Sequence, residues 1–296
     1  MLKNLNIESL CDIHIHADNF RSKKSGRRKL GIANVYNPDN LAYHLTRDSI
    51  PTEEAYLIYD KPDSLEKVQS LVPQTKIYGW YWLRFHWEGN ILTSDKDSLA
   101  GLYIELSNPR LQGIKVHPYN DDFELSSENM KPVLEIAENN NLAIIFHSDD
   151  RGKSYGNTYK LTLPELYGPM IAGYPFINFV IGHGGAYAYP RIVDTPEAEI
   201  YWKRTKPLIE DALAIAAELH NAYYDTSTCG NKVKAGLIMK ALYECPSLAK
   251  KIILVEGQTE AIIIPYFFDH IGFDYTKEGI SIIGVGVKLR LKDFID

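Results

Sequence analysis

The sequence predicts an α/β fold, a single-domain (β/α)8 TIM barrel of distorted form over residues 1–296, on three observations. Short apolar runs rich in β-branched and aromatic residues recur along the chain, helix-like segments separate them, and histidines close several of the runs. In order, residues 7–16 give the first strand, with Ile13 and Ile15 alternating against His14 and His16. Residues 54–60, 76–85 and 113–117 give the next three. Residues 127–139 open on a Ser, end in an Asn run and carry Met130, Val133, Leu134 and Ile136 at three- and four-residue spacing, so a helix is expected there. Strands follow at 142–147, 176–183, 222–226 and 251–255, with helices at 163–171, 197–220 and 234–243. The longest of these places Ile209, Leu213 and Ala216 on one face. Residues 280–294 fit either a strand or a helix. A doubly wound open sheet is the rival architecture, but no GxGxxG follows the first strand.

Composition narrows the function classes. Hydrophobic residues make up 45% and charged residues 24%, enough to bury a large core. The net charge of −6 argues against a general nucleic-acid binder, which needs clustered positive charge. No apolar run reaches the ~18 residues of a membrane span, and residues 1–9 carry no secretory pattern. Three cysteines without a CxxC do not suggest a disulfide framework. The expectation is a cytoplasmic protein whose partners are a small-molecule substrate and at most further copies of itself (a homo-oligomer), with neither nucleic acid nor membrane.

The histidines carry the chemistry. His14 and His16 lie two apart on one strand, so both imidazoles face one side, which suits two ligands on a divalent cation. His117, His147 and His183 close three further strands, and the C-terminal strand ends of a barrel converge on one face. A single strand histidine is more often a hydrogen-bonded core residue; the HxH pair and the recurrence at strand ends favour a metal site. Imidazole alone does not name the metal. His44, His86, His220 and His270 lack this context.

Asp12-Ile13-His14-Ile15-His16, Gly113-Ile114-Lys115-Val116-His117-Pro118, Phe146-His147, Ile181-Gly182-His183-Gly184-Gly185 and Tyr224-Asp225-Thr226-Ser227 occur in this order. In these motifs the chain resembles the amidohydrolase superfamily, in particular its amidohydrolase-2 branch of hydrolases and nonoxidative decarboxylases. The resemblance implies a divalent metal, zinc foremost, held by His14, His16 and His147. It implies that His183 is catalytic, polarising substrate or orienting water, and that Lys115 and His117 face substrate. A carbamylated Lys115 bridging two metals is a lesser implication.

The chain departs from that pattern at its eighth strand. The family ends this strand in Gly-Ser/Thr-Asp, whereas here Lys251–Val255 is followed by Glu256, Gly257, Gln258, Thr259 and Glu260. Neither amide nor hydroxyl serves as a general base near neutral pH, so Glu256 is the best substitute as metal ligand and proton carrier, with Glu260 second. Asp225 is expected to orient a neighbour. Gly286 also stands where the family usually has Asn. The expected activity is hydrolysis of a small-molecule ester, lactone or amide by metal-activated water. The alternatives are a decarboxylase on the same scaffold, with Arg84 near the substrate carboxylate, and a barrel impaired in catalysis by the missing Asp. The basic run at 21–29 reads as a solvated loop after the first strand, or as a lid attracting an anionic substrate.

Overall fold

In the computed structural model, which describes residues 10–16, 52–89, 91–148, 158–186, 196–225, 232–250 and 252–253, the apolar runs fall into parallel ladders. The basic run at 21–29 and the segment 280–294 lie outside the described residues. The chain divides into two compact units, one of Ile7–Lys115 and one carrying Val116–Asp296. Each holds four strands of parallel ladder among the described residues, the strand–helix alternation of a (β/α)8 fold.

In the first unit β1 (Leu10–His16), β2 (Thr52–Tyr59) and β3 (Lys76–Trp82) pair in chain order. An antiparallel hairpin follows, β4 (Phe85–Glu88) with β5 (Ile91–Ser94), and then β6 (Leu111–Val116) pairs with β3. The expected single strand at 76–85 therefore stops at Trp82, and the chain turns back on itself at Gly89, whose φ of 65° suits a residue without Cβ. Helix α1 (Ser64–Leu71) buries Leu65 and Val68. Mid-strand Gly79 is required here, because a Cβ would stand 2.3 Å from the Tyr59 ring and 2.8 Å from Leu65. Helix α2 (Lys96–Glu105) starts on Asp95, whose carboxylate accepts the Ser98 N–H at 2.9 Å. Its last residue, Glu105, is buried and accepts the Tyr59 hydroxyl at 2.8 Å. Burial and that carboxylate together hold the Tyr59 phenol well above its ordinary pKa.

In the second unit β7 (Ala143–His147), β8 (Phe179–Gly182), β9 (Ala222–Asp225) and β10 (Ile252–Ile253) pair in chain order. Every residue of β8 is buried, as expected of a parallel strand covered on both faces. The connections are α3 (Pro118–Asp121), α4 (Ser127–Asn140), α5 (Pro164–Gly173), α6 (Pro196–Glu218) and α7 (Lys232–Glu244). Helix α4 has the ends its sequence foretells: the Ser126 hydroxyl caps the Asn129 N–H, and Asn141 closes it in the left-handed region at φ 54°. On α6, Ile209, Ala212, Leu213 and Ala216 form one buried face. No helix among the described residues is long and apolar enough to cross a membrane.

Candidate active site

The second unit brings three histidines together, each just at or after the end of a strand. His117 follows β6 and caps α3, His147 is the last residue of β7, and His183 follows β8. All three are buried. The His117 and His147 rings stack with centroids 3.8 Å apart and planes 17° apart. His147 meets His183 edge to face, with His183 Nε2 2.9 Å from His147 Nδ1. One hydrogen lies between those nitrogens, so the two rings cannot both be protonated on them and keep the bond. The Nδ1 of His117 accepts the Asn120 N–H at 3.3 Å, which places the ring proton on Nε2. His117 is thereby set as a donor.

His183 is held by its backbone as well as its ring. It leaves β8 at φ 57°, a left-handed conformation that non-glycine residues rarely adopt, and Gly184 and Gly185 continue at 50° and 86°. The two glycines are demanded by contact too. A Cβ on Gly184 would lie 2.1 Å from the Tyr224 ring, and one on Gly185 would lie 2.6 Å from the Leu208 carbonyl oxygen of α6. The carboxylate of Asp225, at the end of β9, accepts the His183 N–H at 3.3 Å. The Lys234 ammonium of α7 donates to the carbonyls of His183 and, at 2.9 Å, Ala186. Both Asp225 and Lys234 are fully buried. The Ser148 hydroxyl donates to the Gly182 carbonyl and steadies the strand end just before the turn.

The remaining expected site residues are not among those the array brings together. Lys115 and Arg84 belong to the first unit. Lys115 is buried, and its carbonyl accepts the Leu83 N–H at 3.0 Å. Arg84 lies between β3 and β4 with its guanidinium 4.7 Å from the centroid of the Trp82 ring. His14 and His16 sit on β1, but their side chains are outside those described. Glu256, Gln258, Thr259, Glu260 and Gly286 also lie outside the described residues. Among the described residues no three His, Cys, Asp or Glu side chains are grouped to hold a metal ion. His86 is on the hairpin, 3.2 Å from Glu88, and His220 reaches the Pro175 carbonyl at 3.1 Å.

Lys234 and Ser148 were not foreseen. A signal for Lys234 exists: it stands three and four residues before Leu237 and Ile238, both buried, so helical spacing puts a lysine on an apolar face. Ser148, directly after Phe146-His147, carries no comparable mark.

A family model described as Overcoming lysogenization defect protein-like, TOPRIM domain, matches residues 248–296. That stretch includes Glu256 and the segment that departs from the amidohydrolase pattern. No match was found among curated protein sequences. Among solved structures, an uncharacterised TIM-barrel protein of Bordetella bronchiseptica is similar at 12% identity, 80% of this chain, 74% of the other and a TM-score of 0.49. An amidohydrolase from Burkholderia multivorans gives 11%, 95%, 95% and 0.49, and Amidohydrolase 2 from Bifidobacterium longum subsp. infantis 15%, 92%, 99% and 0.46. At such scores these likenesses bear on no activity, and the fold class rests on the strand ladders.

Proposed function

We propose that the chain is a metal-dependent hydrolase of small-molecule esters, lactones or amides, acting as one domain in the cytoplasm. The observation that carries this reading is the buried His117–His147–His183 array, whose His183 is held through its backbone by Asp225 and Lys234.

Of the three histidines, His147 is the one whose donor chemistry suits a metal. A ligating imidazole is normally oriented through its second nitrogen, and His147 has its Nδ1 in the bond to His183, which makes Nε2 the nitrogen it would offer. His147 would hold the ion with His14 and His16. A divalent metal, when bound, polarises a carbonyl and brings the pKa of water to about 7.

The chain's own residues supply the rest. With its Nε2 accepting the hydrogen that His147 would carry on Nδ1, His183 would hold or pass a proton through Nδ1. His117 carries its proton on Nε2 and donates it to a substrate oxygen. Glu256 would take the proton of the attacking water, and Arg84 and Lys115 would favour a substrate with a carboxylate. The test is a panel of lactones, esters, amides and aromatic carboxylates, with and without Zn2+, scored for acid and for CO2. Metal-dependent acid release abolished by His183→Ala is the expected result. CO2 release without hydrolysis would move the chain to the lyases, and inertness to the whole panel would leave a barrel impaired in catalysis.

The TOPRIM-domain match favours a second reading of residues 248–296, in which Glu256 serves that segment and not the histidine array. Glu256→Gln separates the two: hydrolysis falling with the substitution supports the first, and unchanged hydrolysis the second.

A further inference from the structure

We infer that Lys234 is a positioning residue for His183, a clasp that keeps the turn after β8 left-handed and the imidazole aimed at His147. Core packing does not explain a lysine here. The same face of α7 carries Leu237 and Ile238, and an apolar side chain would continue it without the penalty of burying an ammonium. The ammonium instead meets the carbonyls at both ends of the turn, those of His183 and Ala186. His183 itself and the two glycines that follow it, Gly184 and Gly185, have positive φ.

A non-glycine residue held left-handed is strained and persists only where its surroundings determine it. Asp225 fixes the amide of His183, and Lys234 fixes its carbonyl. Rotating the backbone out of the left-handed region would swing that carbonyl away from Lys234 and carry the ring from His147. The lysine thus acts on the imidazole through the backbone, from 51 positions along the chain.

The role given to His183 rests on the proposed hydrolase reading, but the test does not depend on activity. In the full chain, labelled with 15N-histidine and free of substrate, the hydrogen shared by His147 and His183 is followed by NMR. Lys234→Met, still folding cooperatively, is expected to speed exchange of that hydrogen about tenfold, as loss of a charge-assisted hydrogen bond would. Lys234→Arg, which keeps a donor, is expected to restore slow exchange. Val133→Ala, remote on α4 and comparably destabilising, should leave the signal alone. A folded Lys234→Met variant with the wild-type exchange rate would overturn the assignment whatever the enzyme does. Should the Met variant not fold, the wild-type chain still decides. Ammonium protons of Lys234 protected about a hundredfold over exposed lysines support the clasp, and unprotected protons refute it.

Discussion

Replacing Gly184 by Ala tests the geometry around His183 most sharply. The residue sits at φ 50°, and the new Cβ would lie 2.1, 2.3 and 2.5 Å from three atoms of the Tyr224 side chain, itself fully buried. Two costs add. Left-handed backbone disfavours a residue with Cβ by about 1–2 kcal/mol, and forcing a methyl into a packed core costs about 1–3 kcal/mol. The expected loss is roughly 2–5 kcal/mol by urea unfolding, with the denaturant slope unchanged. Gly236→Ala is the internal control. It lies within α7, exposed, with nothing within 4 Å of its would-be Cβ, so it should gain about 0.5–1 kcal/mol from helix propensity alone. A Gly184→Ala protein as stable as wild type would refute the close approach of Tyr224 and the left-handed turn on which the site is built.

Three further outcomes are expected. His147→Ala removes the His183 hydrogen bond and the His117 stack, and should lower hydrolysis about 10²–10⁴-fold in steady-state assays with the fold retained by circular dichroism. Glu105→Ala strips the acceptor from the buried Tyr59 hydroxyl and from Asn108, and should cost about 2–3 kcal/mol in urea unfolding. Asp211 is held above the usual carboxylate range by burial and then by Glu165 and Glu210. A carboxyl raised in the folded state disfavours folding when ionised, fully above its folded pKa, and this disappears as pH falls below the unfolded value. Asp211→Asn should therefore raise Tm at pH 7 and not at pH 3, and equal shifts at both would count against this electrostatic account.

The sequence was most legible where local chemistry and burial agree. The Ser and Asn ends of α4, the apolar face of α6 and the runs that became β7 and β9 follow from spacing and capping alone. The strand expected at 76–85 ran past Trp82 because aromatic residues continue from Tyr78 through Phe85 to Trp87, and the hairpin at 85–94 went unread. Helix α2 escaped since its buried face carries Ser98, Gly101 and Glu105 beside Leu102, leaving little hydrophobic period to see. There Gly101 admits the Tyr81 hydroxyl, which would stand 2.1 Å from a Cβ. The strand expected at 176–183 begins only at Phe179, Phe176 being 81% exposed. Of the site, the strand-end histidines were readable. Their mutual hydrogen bond and the Lys234 clasp were not, because they depend on tertiary placement of residues far apart in sequence.

Zinc titration of the full chain, by calorimetry, on wild type and on His14→Ala, His16→Ala, His147→Ala and Glu256→Gln bears most directly on His14, His16 and His147 as a metal centre. The expected result is one binding event lost in each of the three histidine variants. Zinc binding that survives all three histidine substitutions and vanishes only with Glu256→Gln would contradict the proposal and assign the metal to the TOPRIM-matched segment.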